Sequence, residues 1–137
     1  MLQAERAFIQ VVGITSNENP LIPNAILSAP IKNYGRTAAL EVRGMITVMR
    51  GPDLQDKSHL PPIILAANSA AEFTSKSLTE MGEPKERIDN VNAGKISMLI
   101  WVVVEYRDVF KNKHTLVTEA VYNRNPPHVT INASYET

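Results

Sequence analysis

The stretch "IKNYGRTAALEVRGMITV", residues 31–48, decides the fold. From Ala38 to Val48 the even-numbered positions are all apolar or small, whereas most of the odd-numbered positions from Thr37 to Thr47 are polar or charged. This alternation predicts a strand with one buried face, because successive side chains of a strand point to opposite sides of the sheet. The residues expected to face the core are Ala38, Leu40, Val42, Gly44, Ile46 and Val48.

A turn is predicted immediately before this strand, in "NYGR" at residues 33–36. The side chain of Asn33 can accept a hydrogen bond from the backbone two residues further on, and Gly35 can adopt a positive φ without steric cost. Upstream, apolar residues alternate more weakly over 25–31, which predicts a second strand. Pro30 lacks an amide hydrogen, so this second strand is expected at a sheet edge or with a bulge.

The remaining elements follow from the same patterns. Further strands are predicted at 6–12, 61–67, 73–78, 96–106, 114–122 and 129–133, and the segment 83–95 is the one convincing helix candidate. In that helix Pro84 suits the first helical position and Gly94 can end the helix. Short strands separated by turn signals predict an all-β fold: an antiparallel β-sandwich of seven or eight strands with one short helix, as one domain over 1–137.

Composition excludes several classes of function. Fourteen basic residues balance fourteen acidic ones and form no basic run, so we expect no nucleic-acid binding. The absence of cysteine excludes disulfides, thiolate metal sites and a cysteine nucleophile. The longest apolar run, 96–104, is shorter than the roughly 20 residues that a spanning helix needs, so direct membrane insertion by this segment is not expected.

Two stretches resemble a known family. "IKNYGRTAALEV" resembles the "N-x-G-[KR]-T-P-A-x-N-V" segment of small, uncharacterised bacterial proteins that carry an immunoglobulin-like domain, usually behind one or two transmembrane helices. "WVVVEYRDVFKNKH", residues 101–114, is similar to their later segment, in which an apolar strand ends in Tyr-x-Asp-x-Phe-Gly and a His follows. Arg6 matches an arginine beside their first strand. The chain departs from the family at Ala38, Glu41 and Lys111, where Pro, Asn and Gly are usual.

The resemblance implies an immunoglobulin-like fold and no defined activity. It also implies a parent protein anchored in a membrane by helices upstream of Met1, with this domain periplasmic or membrane-tethered. Together with the fold class, this favours a non-enzymatic protein-binding or scaffolding domain.

Three residues leave an enzymatic alternative open. Tyr106, Asp108 and His114 could form a hydrogen-bonded acid/base group across the 107–113 turn, which would suit a small hydrolase using His114 and Asp108. Such an enzyme also needs a positioned nucleophile and an oxyanion hole, and the sequence has no G-x-S-x-G segment. We favour the competing interpretation, in which Asp108 caps the amides of the turn and Tyr106 anchors it.

No metal or cofactor is expected. The three histidines, His59, His114 and His128, lack the close pairing that is typical of zinc ligands. The glycines are isolated, with no Gly-x-Gly, so no phosphate-binding loop is predicted.

The strand predicted at 96–106 is apolar on both faces. Its even positions should face the core, which leaves Leu99, Trp101 and Val103 on the other face, where a half-exposed strand normally carries polar residues. These three residues are either covered within the chain, by the segment 50–80 or the helix at 84–93, or covered by a partner. They are therefore the candidate protein interface, and a second copy of the chain is the simplest partner.

Overall fold

A computed structural model describes residues 6–49, 51, 62–123 and 128–137. In the described part the chain forms nine strands and one short helix. The strands are β1 (Ile9–Val11), β2 (Thr15–Ser16), β3 (Ile26–Asn33), β4 (Ala39–Val48), β5 (Ile63–Leu65), β6 (Ala70–Ser77), β7 (Met98–Arg107), β8 (Lys113–Asn123) and β9 (His128–Glu136), and the helix is α1 (Lys85–Asn92). The predicted all-β fold with one short helix is confirmed.

The strands form two antiparallel sheets that pack as a sandwich. In the smaller sheet β3 is central and pairs with β1 and β2 on one side and β6 on the other. The larger sheet has the order β5-β4-β7-β8-β9. The number of strands exceeds the prediction because the chain adds β2, a two-residue strand too short to leave an alternation in the sequence.

In β7 the even-numbered residues face the core, as predicted. Every even position from Met98 to Tyr106 is buried. Because β7 is flanked by β4 and β8 and lies at the centre of the larger sheet, this column of side chains forms the middle of the core.

In β4 the prediction that even-numbered residues face the core is correct for only part of the strand. Val42, Gly44, Ile46 and Val48 are buried as expected, but at the start of the strand Ala39 is buried in place of its even-numbered neighbours. The pairing of β4 with both neighbours shifts register between residues 39 and 43, and Glu41 in this interval has φ 50°. A β-bulge adds one residue and so reverses which side chains face inward, which explains the difference.

Pro30 lies in the central strand of its sheet, so the edge position predicted as one alternative is wrong, whereas the other alternative, a bulge in this strand, agrees with the register shift between Ile26 and Ser28 in its pairing with β6. β1 pairs with β3 at residues 31–33 and β2 pairs with it at 27–28, so Pro30 lies between the two partners. Its carbonyl oxygen accepts a hydrogen bond from the Val12 amide at 2.8 Å. A proline is tolerated in this central strand because it lies between the segments that pair with β1 and β2, where no neighbouring strand needs a hydrogen bond from its amide.

Asn33 confirms the predicted turn and connects far more than the turn. Its Oδ1 accepts hydrogen bonds from the amides of Gly35 at 2.9 Å and Phe8 at 3.0 Å. Its Nδ2 donates to the carbonyl oxygens of Thr37 at 2.9 Å and Leu65 at 3.0 Å. The side chain is fully buried. One amide thus joins the segment before β1, the 33–38 turn and the end of β5.

Two positions, Gly35 and Gly44, require glycine because neighbouring atoms leave no space for a Cβ. A Cβ on Gly35 would collide with the Arg6 carbonyl oxygen, because the turn passes directly over the backbone of residues 6–8. A Cβ on Gly44 would enter the ring of Phe73, which packs across β4 from the opposite sheet. Gly35 is not among the residues with positive φ, so the predicted reason for that glycine is wrong, and close approach replaces it.

The helix forms within the predicted segment 83–95, but its first helical residue is Lys85, and Pro84, predicted at that position, is the extended residue that precedes it. Ile88 and Val91, three residues apart, are buried on one face, and Gly94 with φ 74° follows the helix and donates to the Val91 carbonyl. Asn92 fixes the helix to the loop before β3, since its side chain exchanges hydrogen bonds with both backbone groups of Leu21, at 2.7 and 3.0 Å.

Replacing Asn33 by alanine should destabilise the protein strongly. The change leaves two amide hydrogens and two carbonyl oxygens without their partner in a buried site, and each such loss costs on the order of 1 kcal/mol or more. We expect a decrease of about 3 kcal/mol in the free energy of unfolding, measured by urea denaturation. Asn24→Ala, at an exposed site, should change the stability by less than about 0.5 kcal/mol. Equal effects of the two changes would contradict this role of Asn33.

Gly35→Ala and Gly13→Ala form a matched pair of glycine substitutions. At Gly13 no atom of the residues that the structure describes lies within 4 Å of the position that a Cβ would take, whereas at Gly35 the Cβ would meet backbone. Thermal unfolding should show a loss of about 2 kcal/mol for Gly35→Ala, as for other overpacked sites. Gly13→Ala should be neutral or slightly stabilising. A neutral Gly35→Ala would show that the turn can move away from the first segment.

Candidate functional site

The polar residues predicted around the 107–113 turn meet two further residues at one end of the sandwich. We call this group the polar cluster: Arg6, Tyr106, Asp108, His114 and Glu136. The end of β7 supplies Tyr106, the turn supplies Asp108, and the paired residue at the start of β8 supplies His114. Arg6 precedes β1 of the opposite sheet, so the cluster closes the gap between the two sheets.

Glu136 is the acceptor at the centre of the cluster. Its Oε1 lies 2.8 Å from Arg6 Nη2 and 3.0 Å from His114 Nδ1, and its Oε2 accepts the Tyr106 hydroxyl at 2.7 Å. Its side chain is about one-fifth exposed. A single carboxylate therefore joins β9, β7, β8 and the segment before β1.

Asp108 fixes the turn. Its Oδ1 accepts the amides of Phe110 at 2.9 Å and Asn112 at 3.0 Å, which confirms the predicted capping of the turn. Its Oδ2 lies 2.7 Å from His114 Nε2. The His114 ring also stacks on the ring of Tyr106, with 5.1 Å between centroids. The turn is thus held by its own carboxylate and by the strands on both sides.

The electrostatic environment differs between the members of the cluster. Burial alone would raise the pKa of Asp108, but hydrogen bonds from His114 and from the amides of Asn112 and Phe110 outweigh burial and lower that pKa. Burial, followed by the hydrogen bond to Glu136, raises the pKa of Tyr106 to about 12. Asp108 is therefore held as a carboxylate and Tyr106 as a neutral phenol at physiological pH.

The geometry of His114 limits what the cluster can do chemically. Both ring nitrogens face carboxylate oxygens, Asp108 on one side and Glu136 on the other, so neither nitrogen is open to a substrate. Within the described residues His114 has no hydroxyl partner that could act as a nucleophile. The two carboxylates also lie on opposite sides of the ring, and in the described ranges no group of His, Cys, Asp or Glu is arranged to hold a metal ion.

Sequence reasoning found three members of the cluster and missed the role of Glu136. The predicted last strand ends at Ala133, whereas β9 continues to Glu136. The inward positions at the end of β9 are Ser134 and Glu136, which pair with Thr118 and Leu116, so no apolar alternation marks them. Arg6 was noted in the resemblance, but nothing in the sequence connected it to a residue 130 positions away.

The outer face of the larger sheet, which points away from the smaller sheet, carries the second candidate site. Four residues on neighbouring strands lie side by side there: Met45 beside Val103, Val103 beside Val117, and Val117 beside Tyr135. We call these four residues the apolar row. With strands about 4.8 Å apart it spans about 14 Å across β4, β7, β8 and β9.

The three residues predicted as an interface lie on this outer face with different exposures. Leu99 is 40% exposed, Trp101 is partly buried, and Val103 is only 2% exposed. The indole Nε1 of Trp101 is buried and has no hydrogen-bond partner among the described residues. Of the segment 50–80 that could cover them, residues 52–61 lie outside the described residues. The sequence missed Tyr135, which is 44% exposed at the end of the apolar row.

The other histidines do not join either site. His59 lies outside the described residues, and His128 begins β9, at the opposite end of that strand from Glu136. In the part of the chain that the structure describes, no helix has the length and apolar character needed to cross a membrane.

Comparing Asp108→Asn with wild type should show at which pH values the Asp108 carboxylate stabilises the fold. Because the pKa of Asp108 is lowered on folding, its stabilisation is complete above about pH 4, the ordinary range for Asp, and is lost as the pH falls through the lower folded value. At pH 7 the variant should be less stable by about 2 kcal/mol, as for a lost hydrogen bond to a charged group. Urea denaturation from pH 7 to pH 2 should show this difference shrinking below pH 4.

The control for this experiment is Asp89→Asn on the exposed face of α1. Asp89 has a longer ion pair, 3.6 Å from Lys85, and is 60% exposed. Its removal should change the free energy of unfolding by less than about 0.5 kcal/mol at every pH. A difference between wild type and Asp108→Asn that stays constant down to pH 2 would contradict the assignment.

Comparison with known proteins assigns the chain to no family. No protein-family model matches the chain, and no curated protein or solved structure matches it.

Proposed function

We propose that the chain is a non-enzymatic binding or scaffolding domain that associates with a protein partner through the outer face of its larger sheet. The observation that carries this proposal is the exposed apolar area of that face: Leu99 and Tyr135 are 40% and 44% exposed, whereas Val103 and Val117 of the apolar row are already buried within the chain. In a sandwich the core uses only the inner face of each sheet, and the outer face is normally polar.

The partner is a second copy of the chain. A patch that crosses four strands can pair with itself about a two-fold axis, so one surface serves both subunits. The chain carries no net charge, so two copies do not repel each other strongly. Trp101 and Tyr135 belong to the residue types that most often anchor interfaces.

Membrane anchoring of the parent protein is part of the proposal. It is supported by the resemblance of "NYGRT", residues 33–37, and of the Tyr106-x-Asp108-x-Phe110 segment to bacterial proteins with helices before such a domain. In that arrangement the domain is periplasmic or membrane-tethered, and dimerisation through the outer face brings two anchored chains together.

The alternative is a small hydrolase that uses His114 and Asp108. The 2.7 Å contact between His114 Nε2 and Asp108 Oδ2 favours it, because a base is commonly oriented by a carboxylate. The contact of His114 Nδ1 with Glu136 disfavours it, since that nitrogen would have to accept a proton from a nucleophile. Hydrolysis of ester or phosphoester substrates that disappears in a folded His114→Gln variant would establish the alternative.

Dimerisation is tested with the two exposed residues of the outer face. Leu99→Glu and Tyr135→Glu should each place a charge in the interface and weaken self-association at least tenfold, since burying an unpaired charge is unfavourable by more than about 1.4 kcal/mol. Sedimentation equilibrium over a range of concentrations measures the change. Circular dichroism should show that both variants remain folded, because both side chains are about 40% exposed in one chain.

Ile22→Glu is the matched control, because Ile22 is also 40% exposed but lies in the loop before β3, away from the outer face. It should leave self-association unchanged. Wild type that sediments as a monomer at the highest attainable concentration would overturn the proposed dimer, as would equal effects of Leu99→Glu and Ile22→Glu.

A further inference from the structure

An apolar pair lies at the tip of the turn between β7 and β8. Val109 and Phe110 are 42% and 46% exposed, at the end of the sandwich that the polar cluster closes. Neither residue has a part in the core, although both are large and apolar. Two adjacent apolar side chains at a protruding turn are unfavourable in water unless another surface covers them.

The turn that presents this pair is held rigidly. Besides the two amides capped by Asp108, the Lys111 amide donates to the Asp108 carbonyl oxygen, and the Asp108 amide donates to the Asn112 carbonyl oxygen, each at 3.0 Å. Asp108 itself is fixed by His114. A tip that is already ordered loses little conformational entropy when it docks.

The 33–38 turn lies at the same end and adds an aromatic residue. β4 begins directly after this turn, and its residue Leu40 pairs with Arg107 at the end of β7, so the two turns are neighbours. Tyr34 is exposed in the 33–38 turn, with Lys32 Nζ 5.0 Å from the centre of its ring. Tyrosine with an adjacent lysine is typical of residues that lie at a lipid–water boundary.

The charges at this end are unbalanced in the described part of the chain. The exposed Glu72 near the start of β6 forms no ion pair among the described residues, and the other carboxylates there have a cationic or histidine partner: Glu41 with Arg107, Glu105 with Lys113, Asp108 with His114, and Glu136 with Arg6. In contrast, Arg36 and Lys111 are exposed and form no ion pair among the described residues. The surface around the apolar tip therefore has an excess of positive charge, although the whole chain is neutral.

We infer that this end of the domain docks on an anionic phospholipid bilayer, with Val109 and Phe110 entering the boundary of the acyl chains. Arg36 and Lys111 then lie at the level of the lipid phosphates, and Tyr34 lies at the interface. A protein partner fits less well, because a stable protein interface needs about 800 Å² on each side, far more than a tip with two apolar side chains offers. This inference uses a different surface from the proposed dimer and does not depend on it.

The test is sedimentation of the protein with vesicles of phosphatidylcholine mixed with phosphatidylglycerol, against vesicles of phosphatidylcholine alone. Wild type should bind the anionic vesicles more tightly, and the difference should decrease as salt is added. The double variant Val109→Ser/Phe110→Ser should bind at least roughly tenfold more weakly, because it loses the burial of two apolar side chains. Both side chains are exposed, so this variant should melt at the wild-type temperature.

The contribution of charge is tested with Lys111→Asn. Asparagine tolerates the backbone at this position, where φ is 68°, so the turn is preserved while the charge is removed. Binding to anionic vesicles should weaken about fivefold, as for one basic residue near an anionic surface, with no change on phosphatidylcholine. Lys95→Asn, at an exposed site before β7 and thus at the other end of that strand, should have no effect.

The control for the apolar pair is Ile22→Ser/Ile96→Ser, which removes two residues of similar exposure, 40% each, at the opposite end of the sandwich. It should bind vesicles as wild type does. The inference is overturned if wild type binds neither kind of vesicle, which would favour an acidic protein as the ligand. It is also overturned if the Val109→Ser/Phe110→Ser protein and the Ile22→Ser/Ile96→Ser protein bind equally.

Discussion

The side-chain amide of Asn33 is the constraint on which this end of the sandwich depends. It forms four hydrogen bonds with three backbone segments and is fully buried, so its whole hydrogen-bonding capacity is used inside the protein. The amide fixes the backbone of Phe8, and that segment carries Arg6 into reach of Glu136. The polar cluster, and the turn that it holds, are therefore arranged by a residue that touches neither.

Local features of the fold could be predicted where the sequence repeats a simple period. The alternation after Gly35 identified β4, and the apolar column of β7 identified its buried face. The bulge at Glu41 could not be predicted, because a positive φ at a glutamate has no counterpart in residue pattern. The role of Gly35 was misjudged for a similar reason: its backbone neighbour, Arg6, is close only in space.

The candidate site was predicted only within one turn. Tyr106, Asp108 and His114 are near neighbours in sequence, so hydrogen bonds between them could be anticipated from the hairpin alone. Glu136 reaches them through the pairing of β8 with β9, which contains a register shift between Glu119 and Ala120. Such a shift moves a side chain from one face to the other and is set by tertiary packing. The second carboxylate on His114, which changes the chemical interpretation of the cluster, was therefore accessible only from the structure.

The separation of 130 residues between Arg6 and Glu136 has a consequence for the order of folding. During synthesis Arg6, Tyr106 and His114 leave the ribosome before Glu136 does, so the carboxylate that joins them becomes available after they do. Contacts between such distant parts of a chain form late, because the long intervening loop must first be closed. Until then the gap between the sheets stays open at this end and the hydroxyl of Tyr106 lacks its acceptor. We therefore expect closure of the cluster to be a late step in folding.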